Sequence, residues 1–285
     1  MMSLLEIVEK INKEQQPTVT ELYTARFLWP SAQHAKAVFS LLETLGTERL
    51  SLQCELEKIG IRLVSPRKEA MIIMDFPMQF FEEYAVLKPF WFTTHMEAVC
   101  KAFKSTRKEE KAYFEANLTK IIKGESISTA GNLTITRNST LKRLFTMEAD
   151  TPQPHEKDIP NPANYQPTWT AKVAVDQFEQ LLKSAPKKPL TEHLAFSAEQ
   201  DTLTLSNEDF KATLTKSDAL LDVTRTENGE VKAHYDAAYL RMWFQRLKPL
   251  SAVATVAFAK DAPIRISFTE NYEIAIWLAP TIIKE

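Results

Sequence analysis

The stretch EADTPQPHEKDIPNPANYQP, residues 148–167, decides how the rest of the chain is read. Five of its twenty residues are proline, at 152, 154, 160, 162 and 167, and its apolar residues follow no period. Proline fixes φ and removes a backbone donor, so this stretch is neither a helix nor a central strand. It reads as a semi-extended linker joining two domains. A chain of 285 residues has room for a domain of ordinary size on either side.

Working outward, the same order of periods appears on both sides. Before the linker, residues 31–45 predict a helix, with Ala35, Val38, Phe39, Leu42 and Leu45 on one face. Ser31 after Pro30 is its expected N-cap, and Gly46 its stop. Strand-like runs follow at 50–55, 61–65 and 70–76, the last two joined by a turn at 66–69. Residues 95–104 predict a second helix, with Met96, Val99, Cys100 and Phe103 inward, and strands follow at 112–118, 133–136 and 141–147.

After the linker, residues 175–184 predict a helix with Val175, Phe178, Leu181 and Leu182 inward. Strands follow at 194–197, 202–206 and 210–215. A fourth helix, 236–247, buries Leu240, Trp243, Phe244 and Leu247, and strands at 253–259, 264–269 and 273–278 close the chain. The repetition is structural rather than textual: the residues differ and the order of periods recurs. Two strands are expected to lead into the two helices of each half. The fold class is α+β, with two similar domains, each carrying two helices on antiparallel sheets. The expected division is an N-terminal extension, 1–22, with a short amphipathic stretch at 4–11; a first domain, 23–147; a connecting loop, 148–167; and a second domain, 168–285.

Composition narrows the function classes. Hydrophobic residues make up 44% and charged residues 25%, ordinary for a globular protein. The net charge is -2, so the whole molecule is no basic glove for nucleic acid. Any positive charge that meets DNA must be gathered on one face. Cys54 and Cys100 sit in apolar segments and are expected to be buried free thiols of a reducing compartment. No apolar run approaches the ~20 residues that span a membrane, and no signal peptide is legible, so an intracellular protein without membrane contact is expected. The histidines His34, His95, His155, His193 and His234 lack metal-ligand spacing, and none of the five glycines makes a phosphate loop. The expectation is a protein without catalysis, cofactor or metal. His95 with Cys100 does not make a nucleophile pair, because Cys100 falls on the buried stripe. Glu82 and Glu83 read as a solvated loop near Pro77.

The C-terminal part carries a resemblance. Tyr239-Leu240, Lys248-Pro249-Leu250-Ser251, Asp261-Ala262-Pro263-Ile264 and Ile276-Trp277-Leu278-Ala279-Pro280 resemble the last module of the proliferating cell nuclear antigen (PCNA) family of DNA sliding clamps. Ile159-Pro160 followed by Tyr165 resembles the end of that family's interdomain connecting loop, and Gly60-Ile61-Arg62-Leu63 its first hairpin. The resemblance covers about 260 residues from Tyr23 onward. Departures are the N-terminal extension, Trp277 in place of a usual tyrosine, the aromatic cluster 90–92 and a lysine-rich segment, 101–111. Pro66 stands where many members have a long apolar side chain. The resemblance implies a ring of three subunits that encircles duplex DNA, holds polymerase and other replication and repair proteins by short peptide motifs, and is opened by a clamp loader. It places action at the site of DNA replication, in the nucleus or, for a viral or prokaryotic protein, in the cytoplasm. DNA contact is expected from Lys36, Lys101, Lys104, Lys183, Arg241 and Arg246. Peptide docking is expected at Ile73, Ile159, Pro160, Tyr165, Pro263, Leu278, Ala279 and Pro280. Ring closure is expected through edge strands at 133–136 and 210–215. Two alternatives stay open: a subunit of a heterotrimeric, checkpoint-type ring, or a monomeric viral processivity or transcription factor that encircles nothing.

Overall fold

A computed structural model describes residues 18–138, 142–152, 165–186, 193–216, 218–226 and 229–282. The amphipathic stretch at 4–11, Ile159 and Pro160 lie outside the described residues.

The first half runs β1 (Thr18–Trp29), α1 (Ala32–Leu42), β2 (Arg49–Cys54), β3 (Lys58–Val64), β4 (Ala70–Pro77), β5 (Glu83–Val86), β6 (Phe90–His95), α2 (Met96–Ala102), β7 (Lys111–Lys123), β8 (Ser126–Asn138) and β9 (Arg143–Asp150). The second half repeats the order: β10 (Trp169–Ala174), α3 (Val175–Ser184), β11 (His193–Glu199), β12 (Thr202–Asn207), β13 (Phe210–Leu214), β14 (Leu220–Arg225), β15 (Val231–Asp236), α4 (Ala237–Leu247), β16 (Val253–Phe258), β17 (Ile264–Thr269) and β18 (Glu273–Leu278). As the sequence predicts, a strand leads into each of the four helices.

Local chemistry explains the helix ends. The Ser31 side chain accepts the His34 N–H, and Asp236 caps α4 by accepting from Ala238 and Tyr239. Gly46 ends the 3-10 turn after α1 at φ 68, where a Cβ would be strained. Cys54 is buried as predicted; Cys100 is only half-buried, with Sγ 3.8 Å from the Phe39 carbonyl, and both are free thiols.

Fourteen strands form one continuous sheet, β14-β10-β16-β17-β18-β4-β3-β2-β6-β9-β8-β7-β1-β5, and β13-β12-β11-β15 form a separate four-stranded sheet. In the first half the runs β5-β1-β7-β8-β9 and β4-β3-β2-β6 meet where β6 pairs with the end of β9, and their counterparts in the second half are β14-β10-β16-β17-β18 and β13-β12-β11-β15. The halves join where β18 pairs antiparallel with β4, from Glu273↔Asp75 to Leu278↔Ala70. Helix packing reinforces this junction. α1 lies against α2 and α4, and α4 against α3, so the helices form one continuous row, α2-α1-α4-α3. The Trp243 indole on α4 donates to Thr44 Oγ1 at 2.9 Å, and the Tyr239 hydroxyl donates to Glu69 at 2.9 Å.

Several expectations are corrected. Residues 18–22 do not belong to an extension. They start β1, paired from Thr18↔Lys123 along β7. Residues 148–150 belong to β9 rather than to the linker. The segment 133–136 is no edge, because it lies in β8, paired on both sides by β7 and β9. Glu83 opens β5, paired with Leu28 of β1, instead of sitting in a loop. β5 and β14 lie outside the expected elements. β5 is four residues long, and the strand expected before α2, given no bounds by the sequence, is β6, in which the aromatic cluster 90–92 packs a sheet.

Candidate nucleic-acid channel and docking face

The helix row presents its polar side away from the sheets. Lys36, Lys101, Lys104, Lys183 and Arg246 are exposed. Their surroundings differ. Lys36 Nζ donates to the Lys104 carbonyl at 3.3 Å, tying α1 to the end of α2. Lys101 pairs with Glu97 at 2.7 Å, one turn away. Lys183 pairs with Glu179, whose side chain is only 4% exposed. Lys248, absent from the expected set, pairs with Asp176. Arg241 plays a different part: it donates to the carbonyls of Leu182 at 2.9 Å and Ala185 at 3.2 Å, closing the C-terminal end of α3. Its guanidinium is spent on the scaffold.

A second surface forms across the β4–β18 junction, on the face away from the helices. Strand alternation sends Met71, Ile73, Ala275 and Trp277 to this face, with Ile73 directly opposite Ala275 and Met71 opposite Trp277. Tyr165 folds against it. Its ring meets Trp277 edge-on at 4.8 Å, and its hydroxyl donates to the carbonyls of Pro263 at 2.6 Å and Ala257 at 3.2 Å. Burial pushes the Tyr165 hydroxyl well above the usual tyrosine range, so it stays a donor. The Arg265 guanidinium lies 5.7 Å over the Trp277 ring. Ala279 N–H then donates to the Glu69 carbonyl at 2.7 Å, fixing the chain as it leaves the sheet.

Known proteins share this architecture. No known family profile matches the chain. It is 23% identical over 249 residues to a DNA polymerase sliding clamp from Thermofilum pendens, covering 85% of this chain and 92% of the relative. It superposes on the PCNA2–PCNA3 complex from Sulfolobus tokodaii with a TM-score of 0.73 and 20% identity, over 90% of this chain and 98% of the other. It superposes on A. fulgidus PCNA bound to the C-terminal region of FEN-1 with a TM-score of 0.69 and 15% identity, over 92% of this chain and 100% of that one. The chain has the PCNA sliding-clamp fold.

On this clamp fold the expected docking residues divide. Ile73 and Tyr165 reach the outer face, and Pro263 holds Tyr165 through its carbonyl. Ala279 is exposed and Pro280 partly so, at the end of β18. Leu278 is 2% exposed and belongs to the core. The sequence reading missed Met71, Ala275, Trp277 and Arg265 on this face. The signal was available: each lies two residues along a strand from another lining residue, or opposite one, once the register is known.

Proposed function

We propose that the chain is a sliding clamp, closing a ring of copies around duplex DNA and holding other proteins on its outer face. One observation carries this reading. The pair that joins the two halves, β4 with β18, has repeat counterparts in β13 and β9. Among the described residues β13 pairs only with β12, and β9 pairs with β8 and, at its last two residues, with β6. An open edge is an aggregation hazard unless it is covered. A second copy covers it with the same geometry that already joins the domains. Repeated head to tail, that contact generates a ring when the rotation closes.

The internal repeat also supplies the register. The residue before α2, His95, matches Asp236 before α4, which sets Leu52 against Phe196 and Ile72 against Phe210. In the same way Ala112 matches Ala254, and so Phe145 matches Ile276. Because Ile276 faces Ile72 within the chain, Phe145 of one copy faces Phe210 of the next, with Leu144 opposite Lys211. Phe145 and Phe210 are both partly buried against the core, ready to complete an aromatic pair.

DNA retention then rests on the helix row. Apart from Arg241, which closes α3, residues 32–45, 96–104, 175–184 and 237–248 carry six Lys or Arg and four Asp or Glu, against a net charge of -2 for the chain. Positive charge is therefore gathered on the face that lines the hole. Exchangeable lysine contacts, with no base readout, suit sliding. Lys36, Lys104 and Arg246 are the strongest of the expected contacts, and Lys101 and Lys183 share their charge with Glu97 and Glu179. The outer face fits a short partner peptide that inserts aromatic and aliphatic side chains between Tyr165 and Ile73.

Light scattering across a dilution series tests the ring. Three times the chain mass is expected. A Leu144→Cys/Lys211→Cys variant should then oxidise to a closed, covalent trimer. A monomer at every concentration, with no disulfide between copies, would sink the self-closing ring.

A further inference from the structure

The lysine-rich segment after α2 is absorbed neither by the helix row nor by the docking face. It spans residues 103–110, against 248–252 for the counterpart link between α4 and β16, because α2 has 7 residues and α4 has 11. In the first domain a loop thus takes the place of the last turn of helix. The loop is held tightly. Arg137 and Glu110 form an ion pair at 3.3 Å with both side chains 1% exposed, and Arg137 also donates to the Ser105 carbonyl at 2.7 Å. Arg143 donates to the same carbonyl and to Ser105 Oγ, each at 3.2 Å. The Glu110 carboxylate accepts the Arg107 N–H at 3.2 Å, and the Glu110 carbonyl accepts the Ala32 N–H at 2.7 Å at the start of α1.

A fully buried ion pair is an expensive device, and its best-attested use is to fix position. Here it clamps both ends of a loop that would otherwise be free. What the clamped loop displays is basic: Lys104, Arg107 and Lys108 are exposed, with Glu109, next along the chain, the one exposed acid of the loop. Glu110 is neutralised inside. Lys36 joins this group through its bond to the Lys104 carbonyl. The loop also has a defined place. It enters β7 beside the end of β1 and the start of β9, while the docking face lies at the Leu278 end of β18, the counterpart of the end of β9. The loop therefore stands on the ring face opposite the docking surface, at the rim of the helix row.

We propose that residues 104–108 form a phosphate-binding lip at one mouth of the channel, where Arg107 and Lys108 meet the backbone of duplex DNA leaving the hole. This rests on the clamp reading. It adds contacts outside the helices and makes the two faces of the ring unequal toward DNA.

The test compares the full chain with its Arg107→Gln/Lys108→Gln variant by fluorescence anisotropy over a salt series. Two linear duplexes serve as probes, of about 10 and about 30 base pairs, or about 34 and about 100 Å long. Both substitutions are on the surface and leave the buried pair intact. On the longer duplex the variant should lose about 0.9 from the slope of log K against log salt for each phosphate contact removed. On the shorter one, which ends at the mouth, the slope should not move. An Arg67→Gln/Lys68→Gln variant, equal in charge but on the docking side, should match the unaltered chain. An unchanged slope on the longer duplex overturns the lip and leaves the clamp standing. An equal drop on both duplexes, or in the docking-side control, shows only the general field of the protein and also overturns it. If the unaltered chain binds neither duplex, the clamp reading falls with the lip.

Discussion

Acidification should unlock the junction between the two halves through one imidazole. His34, on α1, is held between domains: the Trp29 indole donates to its Nδ1 at 2.9 Å, and its Nε2 lies 2.6 Å from the hydroxyl of Tyr272 beyond β17. Because Nδ1 accepts, the single proton sits on Nε2 and is donated to Tyr272. A second proton has no place unless the Trp29 bond breaks. Phe80 and Tyr272 crowd the ring further, and burial lowers the His34 pKa from 6.5 to about 4. The folded pKa is below the unfolded one, so the unfolded chain takes the proton first. The stabilisation is therefore complete above the unfolded pKa of about 6.5 and is lost as pH falls toward 4. A difference of about 2.5 units corresponds to about 3 kcal/mol, accumulating at about 1.4 kcal/mol per pH unit. Urea unfolding of the natural chain and of His34→Phe, at steps between pH 7.5 and 4.5, measures this directly. Carboxylates common to both proteins cancel in the difference. The stability of the natural chain relative to the variant should be flat above pH 7 and fall steadily below 6.5. A difference that stays constant through that window would refute the argument.

Three further outcomes are expected. Ser31→Ala removes the cap that accepts the His34 N–H and should cost about 1 kcal/mol in the same unfolding assay. Gly131→Ala would put a Cβ 2.3 Å from the Asn117 carbonyl, so it should break the β7–β8 ladder locally, read as faster amide exchange at 117–123 and 126–132. Trp277→Ala should weaken a labelled aromatic-aliphatic peptide at least about tenfold while leaving the solution mass unchanged, because the ring anchors the docking face together with Tyr165. Equal peptide binding by variant and natural chain would move the docking surface elsewhere.

Much of this architecture is legible in the residues. The four helices and their stripes are written in the 3.6 period, and α3 falls on 175–184 as expected because Val175, Phe178 and Leu182 face one core. β17 and β18 likewise match, β17 through its strict alternation and β18 as a continuous apolar run buried on both faces. What escaped was set by partners far away in sequence. The run at 18–22 reads as polar because its half of β1 extends beyond the sheet core, and only pairing with β7 makes it a strand. The edge expected at 133–136 is interior, in β8, since edge and interior strands differ only by what lies beside them. Arg241 was taken for a DNA contact because its sequence position is solvent-facing, yet it lies close enough to the end of α3 to close it. Glu110 gave no sign that it would be buried, since its partner Arg137 is twenty-seven residues away, on β8.

The junction of β4 with β18 also bears on how the protein is made. The strand that covers the free edge of β4 lies about 200 residues further along the chain. At a synthesis rate of about 5–20 residues per second, the edge of β4 stays open for roughly 10–40 s after its own hairpin has emerged. Met71, Ile72, Ile73 and Met74, paired only with β3, then offer an open apolar edge on a growing chain, the kind that finds the wrong neighbour on a crowded polysome. Proline-poor and uncharged over those four residues, this segment has its nearest charges in Lys68 and Glu69 on one side and Asp75 on the other. The same pairing that makes the finished molecule rigid therefore makes its first half dependent, during birth, on a strand not yet translated.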